Sequence, residues 1–228
     1  ALTTLVGFEE ARTGIYSTFI GLAGGSYVLA PELQADAFNA VADFSGKYGE
    51  LHRWMFESSY SAIETIWANC YGAIGRANFF IDGVQKMEDI PGLELTEVQK
   101  QQLYVYEGEA YFARAYCYFY LATLFCKDYD QSTAASALGL PLQIAYIPKM
   151  STDQYPGRSS LEDTYKRILE DLEEAEMRIE TARNGIIDYD RYINGAYVTV
   201  NTASKNCGNY ITVDVVKALK ARVALQMD

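Results

Sequence analysis

The residues best suited to ligand chemistry lie in one short stretch, residues 48–54, whose sequence is YGELHRW. Aromatic rings provide apolar platforms, while imidazole and guanidinium groups form hydrogen bonds in a plane. A sugar ring presents apolar C–H faces bordered by hydroxyl groups, so it matches such a set. We therefore predict a ligand-binding surface formed by Tyr48, His52, Arg53 and Trp54. The alternative interpretation is that Trp54 anchors this loop to the core.

A second group of tyrosines lies near the C-terminal end of the sequence. Tyr189, Tyr192 and Tyr197 occur between Gly185 and Tyr210, a segment also rich in Asn and Gly. This composition predicts a hairpin or an irregular insertion. The three tyrosines are the second candidate for a ligand-binding surface.

The sequence gives little support for an enzymatic function. His52 is the single histidine, and no Ser–His or Cys–His arrangement accompanies it. Glu107 and Glu109 are two positions apart, so they point to different faces of a helix and make a poor acid–base pair. We predict that Glu109 and Arg114 are structural and that each reaches a neighbouring helix. The sequence therefore predicts a protein that is not an enzyme.

The acidic balance of the chain excludes two classes of partner. Nineteen Lys and Arg residues against thirty Asp and Glu residues give a formal net charge of −11. Nucleic-acid binding requires a basic surface to offset phosphate charge, and no Lys/Arg cluster occurs. Electrostatic adhesion to an anionic membrane is disfavoured for the same reason.

The cysteines indicate neither a metal site nor a cofactor. Cys70, Cys117, Cys126 and Cys207 form no C-x-x-C pair and have no histidine at metal-ligand spacing. Three of them lie in apolar helical stretches, where cysteine behaves as a small buried hydrophobic residue. We therefore predict free thiols, no metal ion and no cofactor.

Residues Tyr106 to Phe125 predict a helix at the centre of the protein. This segment carries only Glu107, Glu109 and Arg114 as charges, and apolar residues recur on all its faces. A helix that is apolar most of the way round requires partners on several sides. We therefore predict that this helix is surrounded by other helices in an all-helical core.

Helical periodicity recurs along most of the chain. We predict helices from about Leu5 to Leu22, from residues 58–61 toward Pro91, from Thr96 to about Phe125, from Ser159 past Ile179, and from Thr212 to the end. Residues 26–56 and 128–158 lack this periodicity and are predicted to be long loops, the first with short helical turns. The helices have candidate capping boxes at Ser61/Glu64, Thr96/Gln99 and Ser159/Glu162.

These elements predict an all-α (mostly α) fold. Long helices in succession, with small residues in the central one, favour a stack of tetratricopeptide-like helix pairs with long irregular loops. On such a stack Trp67 and Tyr71 are predicted to be core residues. Asn78 and Asp171 are predicted to bond to backbone or capping groups rather than to a ligand.

Several stretches resemble the SusD/RagB family, and they occur in the family's order. Gly108 to Ala115 is similar to the family's G-E-A/L-x-F-x-R-A helix, and Trp67 to Asn78 to its W-x-x-x-Y-x-x-I-x-x-A-N helix. Gly139 to Leu142 resembles the G-x-P-L element. Arg158 to Ala175 resembles R-x-[ST]-x-x-x-x-Y-x-x-I-x-x-D-L-x-x-A, and Val216 to Leu225 resembles the helix that follows.

The resemblance implies a non-catalytic nutrient-binding lipoprotein at the outer surface of the bacterial outer membrane. Its ligand would be a glycan or another nutrient oligomer, peptides included, and its partner a SusC-like TonB-dependent transporter. Family members are about twice as long, so residues 1–228 would form the N-terminal helical domain, truncated at both ends. The chain would meet the membrane only through an N-terminal lipid anchor that is missing here. The alternative function is a tetratricopeptide-like scaffold that binds protein and no small molecule.

Overall fold

The computed structural model describes residues 2–22, 26–35, 37, 49–55, 57, 60–149, 151–185, 188–193, 196–201 and 210–228. Its α-helices are α1 (Leu5–Leu22), α2 (Ser26–Gln34), α3 (Gly49–His52), α4 (Ser61–Gln85), α5 (Glu97–Phe125), α6 (Leu161–Gly185) and α7 (Val213–Met227). Its strands are β1 (Leu138–Pro141), β2 (Arg158–Ser160), β3 (Asp188–Ile193) and β4 (Ala196–Asn201). The mostly α fold predicted from the sequence is confirmed.

Helix α5 lies at the centre of the stack, as its apolar sequence predicts. It packs against α4 on one side and α6 on another, while α1 packs against both α4 and α5, and α7 packs against α6. The successive helices α4, α5, α6 and α7 are thus neighbours in space, as in tetratricopeptide-like pairs. All ten residues from Tyr106 to Ala115 are buried, so every face of this segment has a packing partner.

The close approach of α5 and α6 depends on Gly108. A Cβ atom at this position would lie 2.8 Å from Ile179 Cγ1 and 3.1 Å from the Ala175 carbonyl oxygen. Both separations are shorter than ordinary van der Waals contact, so a side chain here would push the helices apart. Gly108 therefore has a packing role between α5 and α6.

One of the predicted capping boxes is confirmed and two are wrong. Thr96 caps α5, and Gln99 reciprocates the hydrogen bond. Helix α4 instead has Tyr60 at its N-cap, without a side-chain hydrogen bond. At α6 the cap is Ser160, whose hydroxyl accepts from the Asp163 amide. Ser159 is unavailable because its hydroxyl donates to the Leu140 carbonyl across the β1–β2 pair.

The long loop predicted for residues 26–56 contains a nine-residue helix, α2, so the loop prediction is wrong there. Pro31 lies inside this helix and lacks the amide hydrogen that would bond to the Tyr27 carbonyl four residues earlier. The Tyr120 hydroxyl of α5 donates to that carbonyl instead. A tertiary contact therefore replaces the missing helical hydrogen bond.

The four strands form two antiparallel pairs. Strands β1 and β2 pair from Leu138 opposite Ser160 to Pro141 opposite Arg158, with an irregularity between them. Strands β3 and β4 form a regular hairpin from Asp188 opposite Asn201 to Ile193 opposite Ala196. The predicted hairpin between Gly185 and Tyr210 is therefore confirmed in the described residues.

Candidate functional site

The candidate site is built around the end of α3, where the chain turns sharply at Trp54. The Trp54 amide donates to the Leu51 carbonyl at 3.1 Å, and the Met55 amide donates to the Glu50 carbonyl at 2.9 Å. These two bonds form a Schellman motif with Trp54 at the position after the helix cap. Trp54 accordingly has φ 56°, in the left-handed region where glycine is the usual residue. A tryptophan at this position is conformationally costly, so the display of its ring is a candidate functional feature.

The turn presents its polar and aromatic side chains at the surface. Trp54 is 64 % exposed and Met55 is 71 % exposed, while Leu51, three residues before Trp54, is buried and anchors α3 to the core. Arg53 is exposed, and its Nη2 lies 3.5 Å from the point that a Cβ of Gly49 would occupy. The guanidinium group therefore lies over Gly49.

The predicted site residues are brought together only in part. His52, Arg53 and Trp54 lie on one turn, whereas Tyr48 lies outside the described residues. His52 is half-buried, and within the described part of the chain its Nδ1 has no hydrogen-bond partner. Of the predicted residues that the structure describes, Arg53 and Trp54 are the exposed ones.

An apolar cavity of about 560 Å³ lies beside α3, a volume within the range of small-molecule sites. Leu51 forms part of its wall, and Trp67 of α4 and Phe125 of α5 form another part. Trp67 was predicted to be a core residue, but it is half-buried and borders this cavity, while its ring packs 5.0 Å from those of Tyr71 and Phe125. Periodicity places Trp67 on the apolar face of α4 but does not reveal that the face ends at a cavity.

The second tyrosine group occupies the β3–β4 hairpin. Tyr189 and Tyr192 are on β3, and Tyr192 pairs with Tyr197 of β4. The side chains of this hairpin lie outside the described part of the structure, so the prediction of a ligand surface there stays a prediction.

The buried charges of α5 are used between helices and not at a site. The Arg12 guanidinium of α1 donates to Glu109 through Nε and Nη2, at 2.5 and 2.6 Å. Arg114 donates to Asp171 of α6 through Nε and Nη2, at 2.8 and 2.7 Å. The prediction that Glu109 and Arg114 each reach a neighbouring helix is therefore confirmed.

Burial and ion pairing oppose each other in these pairs. Burial lowers the pKa of Arg114, but the hydrogen bonds to Asp171 and its charge raise that pKa above the ordinary value. Burial raises the pKa of Glu107, although Arg178 lies 2.6 Å away and acts in the opposite direction. These groups are engaged in ion pairs that connect α5 to α6, which is a structural role.

The described residues contain no set of three His, Cys, Asp or Glu side chains placed to hold a metal ion. Cys70, Cys117 and Cys126 are free thiols, and Cys207 lies outside the described residues. Among the helices described, none has the length and apolar character required to cross a membrane.

Comparison with known families gives a match over much of the chain. The SusD-like family described as "starch-binding associating with outer membrane" matches residues 30–184, which is more than half of the sequence. The chain belongs to the SusD-like family. No curated protein matches the sequence.

Solved SusD-like structures share the fold over nearly the whole chain. A SusD superfamily protein from Bacteroides vulgatus superposes with a TM-score of 0.71 at 21 % identity, covering 99 % of this chain and 44 % of the other. One from Bacteroides fragilis gives 0.70 at 20 % identity, covering 99 % and 46 %. Surface glycan-binding protein A from Bacteroides uniformis gives 0.61 at 14 %, covering 96 % and 41 %. The chain therefore spans less than half the length of these relatives.

Three of the stretches that resemble SusD/RagB sequence meet at Arg114, on α4, α5 and α6. Its Nη1 donates to Asn78 Oδ1 at 2.7 Å, and its other nitrogens bind Asp171. Asn78 Nδ2 donates to the Gln143 carbonyl at 2.8 Å, just beyond the G-x-P-L element. Residues of the SusD-like sequence pattern thus form a hydrogen-bond network around Arg114, which joins α4, α5, α6 and the loop after β1.

Proposed function

We propose that this SusD-like protein captures a glycan at the bacterial cell surface without catalysing a reaction. The observation that carries the proposal is the exposed ring of Trp54, which follows Arg53 at the end of α3. The backbone of Trp54 has a left-handed conformation there. An indole face stacks on the C–H face of a sugar, while a guanidinium group donates to its hydroxyls. The family description and the name of the Bacteroides uniformis relative both concern glycans and support this choice of ligand.

We propose further that the chain works beside a SusC-like TonB-dependent transporter, which imports the captured glycan. The protein would be a lipoprotein on the outer face of the outer membrane, in keeping with the family description. Residues 1–228 would supply the N-terminal helical half of a SusD-like protein, as the coverage of relatives by less than half of their length supports. Tyr48 and His52 would complete the surface around Trp54.

Substitution of Trp54 by glycine separates ligand binding from folding. Glycine accepts φ 56° without strain, so the free energy of unfolding should stay equal or rise by about 1 kcal/mol. Loss of a central aromatic contact should weaken glycan binding by about 30-fold. Affinity electrophoresis in gels containing soluble polysaccharides measures the binding, and urea denaturation measures the stability.

Met55→Ala is the matched control, because Met55 is the adjacent and equally exposed side chain. It should leave glycan affinity unchanged. Glycan binding that persists at full strength in a folded Trp54→Gly variant would contradict this site. Absence of binding to every polysaccharide by the folded protein would favour the protein-binding scaffold instead.

A further inference from the structure

A small cleft lies between α1 and α4, on a different part of α4 from the apolar cavity. Its volume is about 200 Å³, and Tyr27 of α2 forms part of its wall. Thr18, Asn69 and Arg76 supply its polar groups. Small-molecule pockets measure about 300–1,000 Å³, so this cleft has room for a single ring rather than an oligomer.

Two helical glycines, Gly21 and Gly72, keep the cleft open. A Cβ atom built at either position would have no atom within 4 Å. Glycine inside a helix costs about 1 kcal/mol relative to alanine, and helix packing does not require it at these positions. The absent side chains leave the backbone of α1 and α4 accessible from the cleft.

Arg76 supplies the positive charge of the cleft. Its Nη1 donates to Thr18 Oγ1 at 2.5 Å, and the Thr18 hydroxyl in turn donates to the Gly14 carbonyl at 3.1 Å. Within the described residues, Arg76 has no carboxylate partner. Its remaining N–H groups are therefore available to an anion, for which a guanidinium group forms two parallel hydrogen bonds.

We propose that the α1–α4 cleft binds one uronic acid residue of a glycan. The proposal rests on the glycan-binding function and specifies its ligand class. The carboxylate of the sugar accepts from Arg76, while its hydroxyl groups bond to Asn69 and to the glycine-exposed backbone.

The charge of the whole protein limits the form of this ligand. A net charge of −11 repels polyanions, and salt screens that repulsion only beyond about 8 Å at physiological ionic strength. One uronate contacts Arg76 directly, whereas each further uronate of a polyanion would add to the repulsion from the net charge. The ligand is therefore a largely neutral polysaccharide with isolated uronate side groups.

Calorimetric titration of the protein with two matched ligands tests the proposal. One is a glucuronoxylan oligosaccharide with a single uronate, and the other is the same oligosaccharide with its carboxyl group reduced to an alcohol. The uronate form should bind about tenfold more tightly, because a charge-assisted contact is lost in the alcohol. Arg76→Gln should abolish the difference. Gly72→Leu places a side chain in the cleft and should weaken uronate binding to a similar extent. The variant should fold, because a Cβ at residue 72 would meet no atom within 4 Å.

Arg222→Gln is the charge-matched control, since Arg222 is exposed on α7 and does not line the cleft. It should retain the tenfold preference. Equal binding of both ligands, or a preference that survives Arg76→Gln, would overturn the uronate site while leaving glycan capture at Trp54 intact. Equally strong competition by an acidic peptide would overturn the sugar assignment. Failure of every glycan to bind would overturn both proposals.

Discussion

Substitution of Arg114 by methionine should destabilise the protein by about 3–5 kcal/mol, because it leaves Asp171 charged in the interior. Asp171 has no exposed surface, and Arg114 donates two of the hydrogen bonds that it accepts. The same change removes the bonds to Asn78 Oδ1 and to the Ile144 carbonyl. The free energy of unfolding from urea denaturation gives the measurement.

Arg167→Met is the matched control for this prediction. Arg167 also contacts Asp171, at 3.1 Å, but its side chain is partly exposed, so its loss should cost about 1 kcal/mol or less. The double variant Arg114→Met/Asp171→Leu should recover much of the lost stability, because no unpaired charge remains. Equal losses of stability in the two single arginine variants would contradict the central role of Arg114 in the hydrogen-bond network.

Gly139→Ala should cost about 3 kcal/mol, at the upper end of the range for overpacking. The added Cβ would lie 2.2 Å from Thr164 Oγ1 and 2.3 Å from the Ser160 carbonyl oxygen. Thr164 Oγ1 cannot move without breaking the bond that joins β1 to α6, since it accepts from the Leu140 amide, and it also donates to the Ser160 carbonyl. Thermal unfolding followed by circular dichroism is the measurement.

Gly157→Ala provides the control, since a Cβ there meets no atom within 4 Å. It should change the free energy of unfolding by less than about 1 kcal/mol. A Gly139→Ala variant as stable as Gly157→Ala would contradict the close packing of β1 against Ser160 and Thr164.

The sequence predicts the helical stack well because periodicity and composition are local signals. An apolar surface on every side places α5 at the centre, and its ten consecutive buried residues agree. Thr96 and Gln99 lie at the spacing of a capping box and form one. In contrast, α2 is missed because residues 26–56 lack helical periodicity. Its internal Pro31 also removes a helical hydrogen bond, for which the distant Tyr120 compensates.

The candidate site is predicted less completely than the fold, because it depends on contacts that join distant segments. Composition selects Arg53 and Trp54, but a glycine is the expected residue where Trp54 turns the chain. The sequence gives no sign that Trp67 borders a cavity, since the facing residues come from α2, α3 and α5. Arg76 likewise gains its significance only when α1 and α2 lie beside it.

Intrinsic fluorescence of a Trp67→Phe variant tests glycan capture at Trp54 most directly. The chain has two tryptophans, so Trp54 becomes the sole tryptophan reporter in this variant. Titration with the soluble polysaccharide that the protein binds should shift the emission to shorter wavelength and saturate, because sugar stacking removes water from the exposed indole ring. An emission spectrum that stays unchanged while calorimetry shows the polysaccharide to be bound would place the glycan elsewhere and contradict the site.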